Sequence, residues 1–303
     1  MIRIAQLTDI HVPDFSDLRR RDVFNKRITG YVNHRLGRHQ RHDAAQLDAA
    51  VSRLLVERPD LIVISGDISN VGLQSEWQAA IRRLKPLADA GLRIGVVPGN
   101  HDHYLRQNPG QFESTFAAWQ FADSRVGGFY PFVLRAGRVS VLMLNSAVPT
   151  APLMAWGRIE LDQLERARQL TDIEQDQGQT VVAVIHHHPV PAPHKKVEAT
   201  RNLRNAWYLR RFLVDANIRV LMHGHNHYLQ LTRLGQASGP LVVGLPSTTY
   251  TRTEPEPVHA CLAMYEFDGG DPQLLLAPID RQSMTFGAWQ RTDLGSAAIF
   301  PMT

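Results

Sequence analysis

Cysteine is nearly absent. Cys261 is the only one in 303 residues, which excludes an internal disulfide and any zinc or iron–sulfur site built from thiolates. No stretch approaches the roughly 18 uncharged apolar residues of a membrane-spanning helix. No repeat and no low-complexity linker divides the chain. The opening MIRIAQLTDIHV has neither the basic start nor the longer apolar core of a signal peptide. With the cysteine count, this makes the cytoplasm the expected address. What is present, 44% hydrophobic and 20% charged residues, excludes intrinsic disorder and suffices for one large domain or two small ones.

The net charge of +4 comes from 33 basic and 29 acidic residues, and it is unevenly placed. Arg19, Arg20, Arg21, Lys26, Arg27, Arg35, Arg38 and Arg41 face a single acid, Asp22, between residues 19 and 41. The rest of the chain is mildly acidic. Fourteen histidines are the second excess.

Short Val/Ile/Leu-rich runs read as buried strands at Arg3–Leu7, Leu61–Ile64, Arg93–Val97, Val139–Leu144, Thr180–Ile185 and Arg219–Met222. Amphipathic helices are expected at Asp43–Glu57, Gln74–Ala90, Arg158–Leu170 and Arg204–Ala216. The last part turns to strands at Tyr228–Leu234, Leu241–Leu245, Ala260–Phe267 and Gln273–Pro278. This is an α/β chain, and in open α/β architectures ligands sit at the carboxyl ends of the strands. Just past the strands stand Thr8-Asp9-Ile10-His11, Gly66-Asp67, Gly99-Asn100-His101-Asp102, His186-His187-His188-Pro189 and His223-Gly224-His225-Asn226-His227. Taken alone, Asp9 and Asp67 read equally well as turn or cap residues. Together the five loops offer Asp9, His11, Asp67, Asn100, His187, His225 and His227 as donors. Nitrogen and oxygen donors without thiolate suit divalent Mn, Fe or Zn. Seven exceed the needs of one tetrahedral ion, whereas two ions sharing a carboxylate would use them.

The ordered set D-x-H, G-D, G-N-H-D, H-x-P and G-H-x-H resembles the calcineurin-like metallophosphoesterase family and covers residues 4 to 227. The resemblance implies a four-layer α/β/β/α sandwich in one domain spanning 1–303, with a dinuclear centre. Asp9, His11 and His227 would hold the first metal, Asn100, His187 and His225 the second, and Asp67 would bridge them. The H-x-P spacing is what selects His187 from its triplet. Strand alternation would send His187 to the opposite side from His186 and His188, which are read as structural. His101 would stabilise the transition state or protonate the leaving oxygen. Asp102 and Asn70 would support the loops. His103 and Asn145 are candidate substrate contacts, with an exposed loop position and a turn position as their plainer readings.

Residues 65–72, with Glu76 following, are similar to the bacterial phosphodiesterases that act on cyclic nucleotides and glycerophosphodiesters. Asn70 and Val71 depart from the Gly-Asp-x-x-Asp-Arg-Gly of Ser/Thr protein phosphatases. The UDP-diacylglucosamine pyrophosphohydrolases commonly carry Arg where His101 stands, so a membrane-surface lipid pyrophosphohydrolase is the alternative. The expected activity is hydrolysis of a small or lipid-like phosphodiester by metal-bound hydroxide. A nuclease is disfavoured by the acidic remainder of the chain. A metal-free scaffold should have lost ligands that are all retained here.

Residues 16–42 form an insert. Phe24, Ile28, Tyr31, Val32 and Leu36 recur as one helical face, while Lys26, Arg27, His34, Arg35 and Arg38 lie mostly away from it. Gly30 costs about 1 kcal/mol relative to Ala in mid-helix, which points to a kink or two short helices. Two readings stand: a basic lip touching an anionic membrane at the inner surface through Arg19 to Arg41, or a helix packed on the body with its cations in solvent.

Overall fold

A computed structural model describes residues 1–35, 42–106, 110–191, 200–251, 259–280 and 282–302. Two mixed sheets lie face to face. In the first, the order is Thr285–Phe286, Gln273–Asp280, Cys261–Phe267, Ile2–Leu7, Leu61–Ile64 and Ile94–Val96, with Gln290–Arg291 also beside Gln273–Asp280. Its last three strands run parallel. The second runs Ala298–Phe300, Gln230–Leu234, Leu241–Gly244, Val220–His223, Thr180–Val184, Val139–Met143, Phe132–Ala136 and Ser124–Arg125. Its four central strands, from Leu241–Gly244 to Val139–Met143, are parallel.

Burial on both faces explains the continuous apolar strands. Ile4, Val63, Leu134, Met143, Val184, Met222 and Val243 fill the space between the sheets. Helices Ala44–Glu57 and Gln74–Asp89 cover the outside of the first sheet through Leu47, Leu54, Trp77 and Leu84. Helices Leu161–Asp176 and Ala206–Asp215 cover the second through Leu164, Leu170, Leu209 and Leu213. The result is the four-layer α/β/β/α arrangement.

One helix outruns its apolar pattern. Leu161–Asp176 continues past Leu170 because its last turn buries a polar anchor. Glu174 accepts hydrogen bonds from Arg135, Ser140 and Ser124, each at 2.7 Å.

The insert differs from its expected form. It is a 3-10 turn at Arg20–Phe24 followed by a helix at Arg27–Arg35; Leu36, Arg38 and Arg41 lie outside the described residues. Gly30 introduces no kink. It marks a close approach, since a Cβ there would collide with Val71 and the Tyr104 hydroxyl. Two cations expected in solvent are buried instead. Arg27 donates to the carbonyls of Val71 and Gly72 at 3.2 and 2.8 Å and pairs with Asp22. Lys26 donates to Thr150 Oγ1 and the Met154 carbonyl at 2.7 and 2.9 Å and sits over the Tyr104 ring. Phe24, expected on the packed face, is 91% exposed. The two long basic side chains, rather than an apolar stripe, hold the insert to the body, and the 3-10 turn rotates Phe24 outward.

Candidate metal centre

The five loops converge at the carboxyl ends of the parallel strands. Their backbones are unusual: Asp9, His11, Asp67, His225 and His227 all occupy the left-handed region, with φ of 51°, 42°, 54°, 72° and 57°. Non-glycine residues pay about 1 kcal/mol or more for this and keep it only where neighbours enforce it. Here they do. Asp9 N–H donates to the Gly66 carbonyl and His11 N–H to the Asp67 carbonyl, both at 3.0 Å, so the first two loops ride on each other. Ser247 Oγ donates to the Asp9 carbonyl at 2.7 Å and Thr249 Oγ1 to that of Ile10 at 2.9 Å. Two glycines let these loops close. A Cβ on Gly99 would overlap the Asp67 carboxylate, and one on Gly224 would overlap Thr8 and the Asp9 carboxylate.

The donors form two groups, and a third, Asp9, Asp67 and His186, links them. Asp9, His11 and His227 bring ligand atoms within 4.8 Å of one another, and so do His186, His187 and His225. Asp67 stands between the groups with one oxygen toward each. Its Oδ2 lies 3.7 Å from His11 Nε2 and its Oδ1 lies 3.4 Å from His186 Nε2. On the first side, His227 Nε2 is 3.1 Å from Asp9 Oδ1.

Tautomers are set from outside the cluster. His11 Nδ1 donates to the Ser69 carbonyl at 2.9 Å, His186 Nδ1 to that of Ser65 at 2.8 Å, and His225 Nε2 to that of Arg201 at 2.9 Å. On His11 and His225 the opposite nitrogen then points a lone pair inward, the arrangement of a histidine prepared for a cation, and His186 turns its Nε2 inward in the same way.

His186 was read as structural from the sequence, and the structure places it differently. Its strand ends at Val184 and the chain bends at His186 and His187, so alternation no longer applies. His186 Nε2 lies 3.2 Å from Asn100 Oδ1 and 3.2 Å from His225 Nδ1, as well as beside Asp67. Separations of that size are edges of a tetrahedron whose centre is about 2.0–2.1 Å from each donor, a metal–nitrogen or metal–oxygen bond length. His187 lies in the same group with its Nδ1 2.8 Å from Ser146 Oγ. Its buried Nε2 has no hydrogen-bond partner among the described residues.

The charges agree with this chemistry. Burial opposes ionisation of Asp9 and Asp67, yet His227 and His186 beside Asp9, and His186 and His101 beside Asp67, hold both carboxyls below their usual range. Burial also disfavours charge on His186, but Asp67 and Asp9 outweigh it and raise that imidazole to about 9. A proton there takes a cation's place. Burial keeps His187 and His225 well below the ordinary histidine value, neutral and able to donate lone pairs. An orphaned imidazole nitrogen, inward lone pairs and two buried carboxylates fit a pair of divalent cations.

His101 stands at the edge of the group. Its N–H donates to Asp67 Oδ1 at 2.8 Å and its Nδ1 to the Asn70 carbonyl at 2.5 Å. Its ring meets that of His11 edge-on and stacks on Tyr104. Asn70 also donates from Nδ2 to the His11 carbonyl at 3.1 Å, so one residue orients two histidines. Asp102 accepts from the backbone of Ile68, Ser69 and Gly99 and from Trp77 Nε1, tying the Asp67 and Asn100 loops together.

Of the two candidate substrate contacts, Asn145 turns its Oδ1 back to Ala147 N–H at 2.7 Å, the turn role. His103 Nδ1 reaches the Ala147 carbonyl at 3.2 Å, while its Nε2 lies 3.5 Å from Glu113. Sequence reasoning passed over His42, whose ring lies 4.4 Å from that of His11, centroid to centroid. It belongs to the charged insert, where no strand end marked it.

The chain matches the family described as Calcineurin-like phosphoesterase over residues 2–229. It is 29% identical over 208 residues to the glycerophosphodiester phosphodiesterase GpdQ of Enterobacter lignolyticus, a match spanning 65% of each chain. It is 24% identical over 228 residues to a probable cyclic nucleotide phosphodiesterase of Coxiella burnetii, over 75% of this chain and 76% of the relative. Among solved structures, a dimetal phosphatase from Danio rerio shares the fold with a TM-score of 0.60 at 14% identity, covering 91% of this chain and 95% of that one. With a profile match across most of its length, two ligand groups astride one carboxylate, and the four-layer sandwich beneath them, the chain belongs to the calcineurin-like phosphoesterase family and is a metal-dependent phosphoesterase.

Proposed function

We propose that this phosphoesterase hydrolyses a phosphodiester, a glycerophosphodiester or a cyclic nucleotide, using two divalent ions drawn from Mn, Fe or Zn. The observation that carries the reading is Asp67, with one oxygen toward each ligand group and a backbone bond to His101. In this reading Asp9, His11 and His227 hold one ion, and Asn100, His186, His187 and His225 surround the other. Bound there, a divalent pair neutralises charge on the phosphoryl oxygens and makes hydroxide available near neutral pH.

His101 supplies the acid. Its Nδ1 proton is committed to the Asn70 carbonyl, so the acid is the imidazolium form, which gives its Nε2 proton to a departing alkoxide. A diester needs this, because alkoxides leave poorly. The diesterase names of the relatives support the same reading. With Mn added, the folded protein is expected to hydrolyse bis(p-nitrophenyl) phosphate. Failure with each of Mn, Fe, Zn and Co would overturn the reading.

One further observation favours a substrate met at a lipid surface. Phe24 is 91% and Leu153 83% exposed, and the Lys26 bonds to Thr150 and Met154 join the segments that carry them. Exposed Arg19 and Arg20 stand at the start of the 3-10 turn that ends at Phe24. Apolar tips among cations suit an anionic bilayer. Among the described residues no helix is long and apolar enough to cross a membrane; the contact proposed is a peripheral one. The protein is expected to sediment with phosphatidylglycerol vesicles, and not with phosphatidylcholine vesicles, at about 0.1 M salt. A Phe24→Ser, Leu153→Ser double variant should stay in the supernatant. Equal partitioning of wild type and variant would contradict surface contact through these residues.

A further inference from the structure

The insert grips the body at the two supports of His101. The first support is a loop. Arg27 donates from Nε and Nη2 to the carbonyls of Val71 and Gly72 at 3.2 and 2.8 Å, and the residue before them, Asn70, holds His101 Nδ1 through its own carbonyl. The second support is a ring. Lys26 Nζ stands 4.5 Å from the centre of the Tyr104 ring, and that ring stacks on His101 with centroids 5.5 Å apart and planes 21° apart. Gly30 lies against both supports: a Cβ there would stand 2.4 Å from Val71 Cγ1 and 2.8 Å from the Tyr104 hydroxyl.

Both cations are fixed where they stand. Arg27 is buried and pairs with Asp22 at 3.2 Å, and Asp22 also accepts from Asn25 and from the Arg19 N–H, each at 2.9 Å. Lys26 gives two of its three donors to Thr150 and the Met154 carbonyl, which holds the ammonium over the aromatic ring. The two supports are joined to each other. Val71, Leu73 and Tyr104 form a small buried cluster, and Ser69 Oγ donates to the His101 carbonyl at 3.0 Å. His101 itself is only partly buried, so the core does not fix its ring. A proton donor needs its ring within about 0.5 Å of the productive place, held by neighbours that are themselves locked.

We propose that the insert braces the general acid: Arg27, through the Asn70–Gly72 loop, and Lys26, through Tyr104, are positioning residues that keep the His101 ring in line with the leaving oxygen. The inference rests on the diesterase reading with His101 as its acid. It gives these two cations of the basic insert a place in the leaving-group step, which they serve without touching metal or substrate. An insert that only stabilised the fold would affect every substrate alike; a brace acting through His101 affects those whose leaving group needs a proton.

The test compares glycerophosphoglycerol, which loses an alkoxide, with bis(p-nitrophenyl) phosphate, which loses a phenolate, on the Mn-loaded protein. Lys26→Met and Arg27→Met keep the apolar stems and remove the charged heads. Each should lower kcat on glycerophosphoglycerol by about 10- to 100-fold with little change in KM. The loss on bis(p-nitrophenyl) phosphate should be much smaller, and both Mn ions should remain bound. In a His101→Ala background the same substitutions should lower kcat on glycerophosphoglycerol no further, because effects that run through one group do not add. Gly30→Ala removes no charge and favours the helix, yet it drives a methyl group into Val71 and Tyr104 and should show the same selective loss. It decides the matter together with Lys26→Met if Arg27→Met, which leaves Asp22 without its arginine, does not fold. Equal losses on both substrates, no loss on either, or a further loss once His101 is Ala overturns the proposal. If the wild type turns over neither diester, the diesterase reading falls and takes this proposal with it. If His101→Ala shows the selective loss and the insert variants do not, this proposal alone falls.

Discussion

Replacing Asp67 by Ala is expected to empty both metal positions and to lower turnover by ~10³-fold or more, because several kcal/mol of transition-state charge stabilisation departs with the cations. One carboxylate oxygen faces His11 and the other faces His186, and the backbone amide of His101 hangs from the second. Asp67 also stands between two imidazole groups whose lone pairs converge, so its removal leaves Asp9 as the one carboxylate of the named ligands to balance two dications in a buried space. Asp67→Asn separates charge from shape. It preserves the volume and the bond from His101, and should still fail to retain two ions. Elemental analysis after gel filtration, with circular dichroism to establish folding, reads both variants. Two ions per chain in Asp67→Ala would show that Asp67 does not bridge.

His101→Ala is expected to leave the metals in place and remove the acid. On a substrate with an alkoxide leaving group the loss should be about 10²- to 10⁴-fold in kcat, the usual worth of a positioned general acid. On bis(p-nitrophenyl) phosphate the loss should be much smaller, since p-nitrophenolate departs without help. The contrast between substrates distinguishes proton donation from a merely structural role. His101 also packs edge-on against His11 and stacks on Tyr104, and a packing role alone would lower both activities together. Equal losses on both substrates, or a loss of bound metal, would reassign His101 to positioning.

Much of this was legible because the chemistry sits where strands end. Leu61–Ile64 and Thr180–Val184 are continuous apolar runs that only doubly covered strands carry, and Asp67 and His186 come directly after such runs. The hairpin strand Phe132–Ala136 escaped notice, although Gly137-Arg138 before Val139–Met143 is a two-residue turn with glycine at positive φ. The triplet His186-His187-His188 was legible only in part, for a physical reason: His187 lies in a ligand group, but so does His186. A period of two holds only while the strand continues, and the bend at His186 turns its ring into the site. The insert misled through its charges: Lys26 and Arg27 bury their stems and give their heads to carbonyls, a use of long cations that helical periodicity does not register. His42 and Glu113 carry no local pattern; the fold alone brings them to the metal loops.

The central claim is a two-ion centre that drives diester hydrolysis. Its most direct test is titration of metal-stripped protein with Mn, recording bound metal and the initial rate on bis(p-nitrophenyl) phosphate in the same samples. The rate should rise with occupancy and reach its plateau at two ions per chain. A plateau at one ion, or full activity in metal-stripped protein, would contradict it.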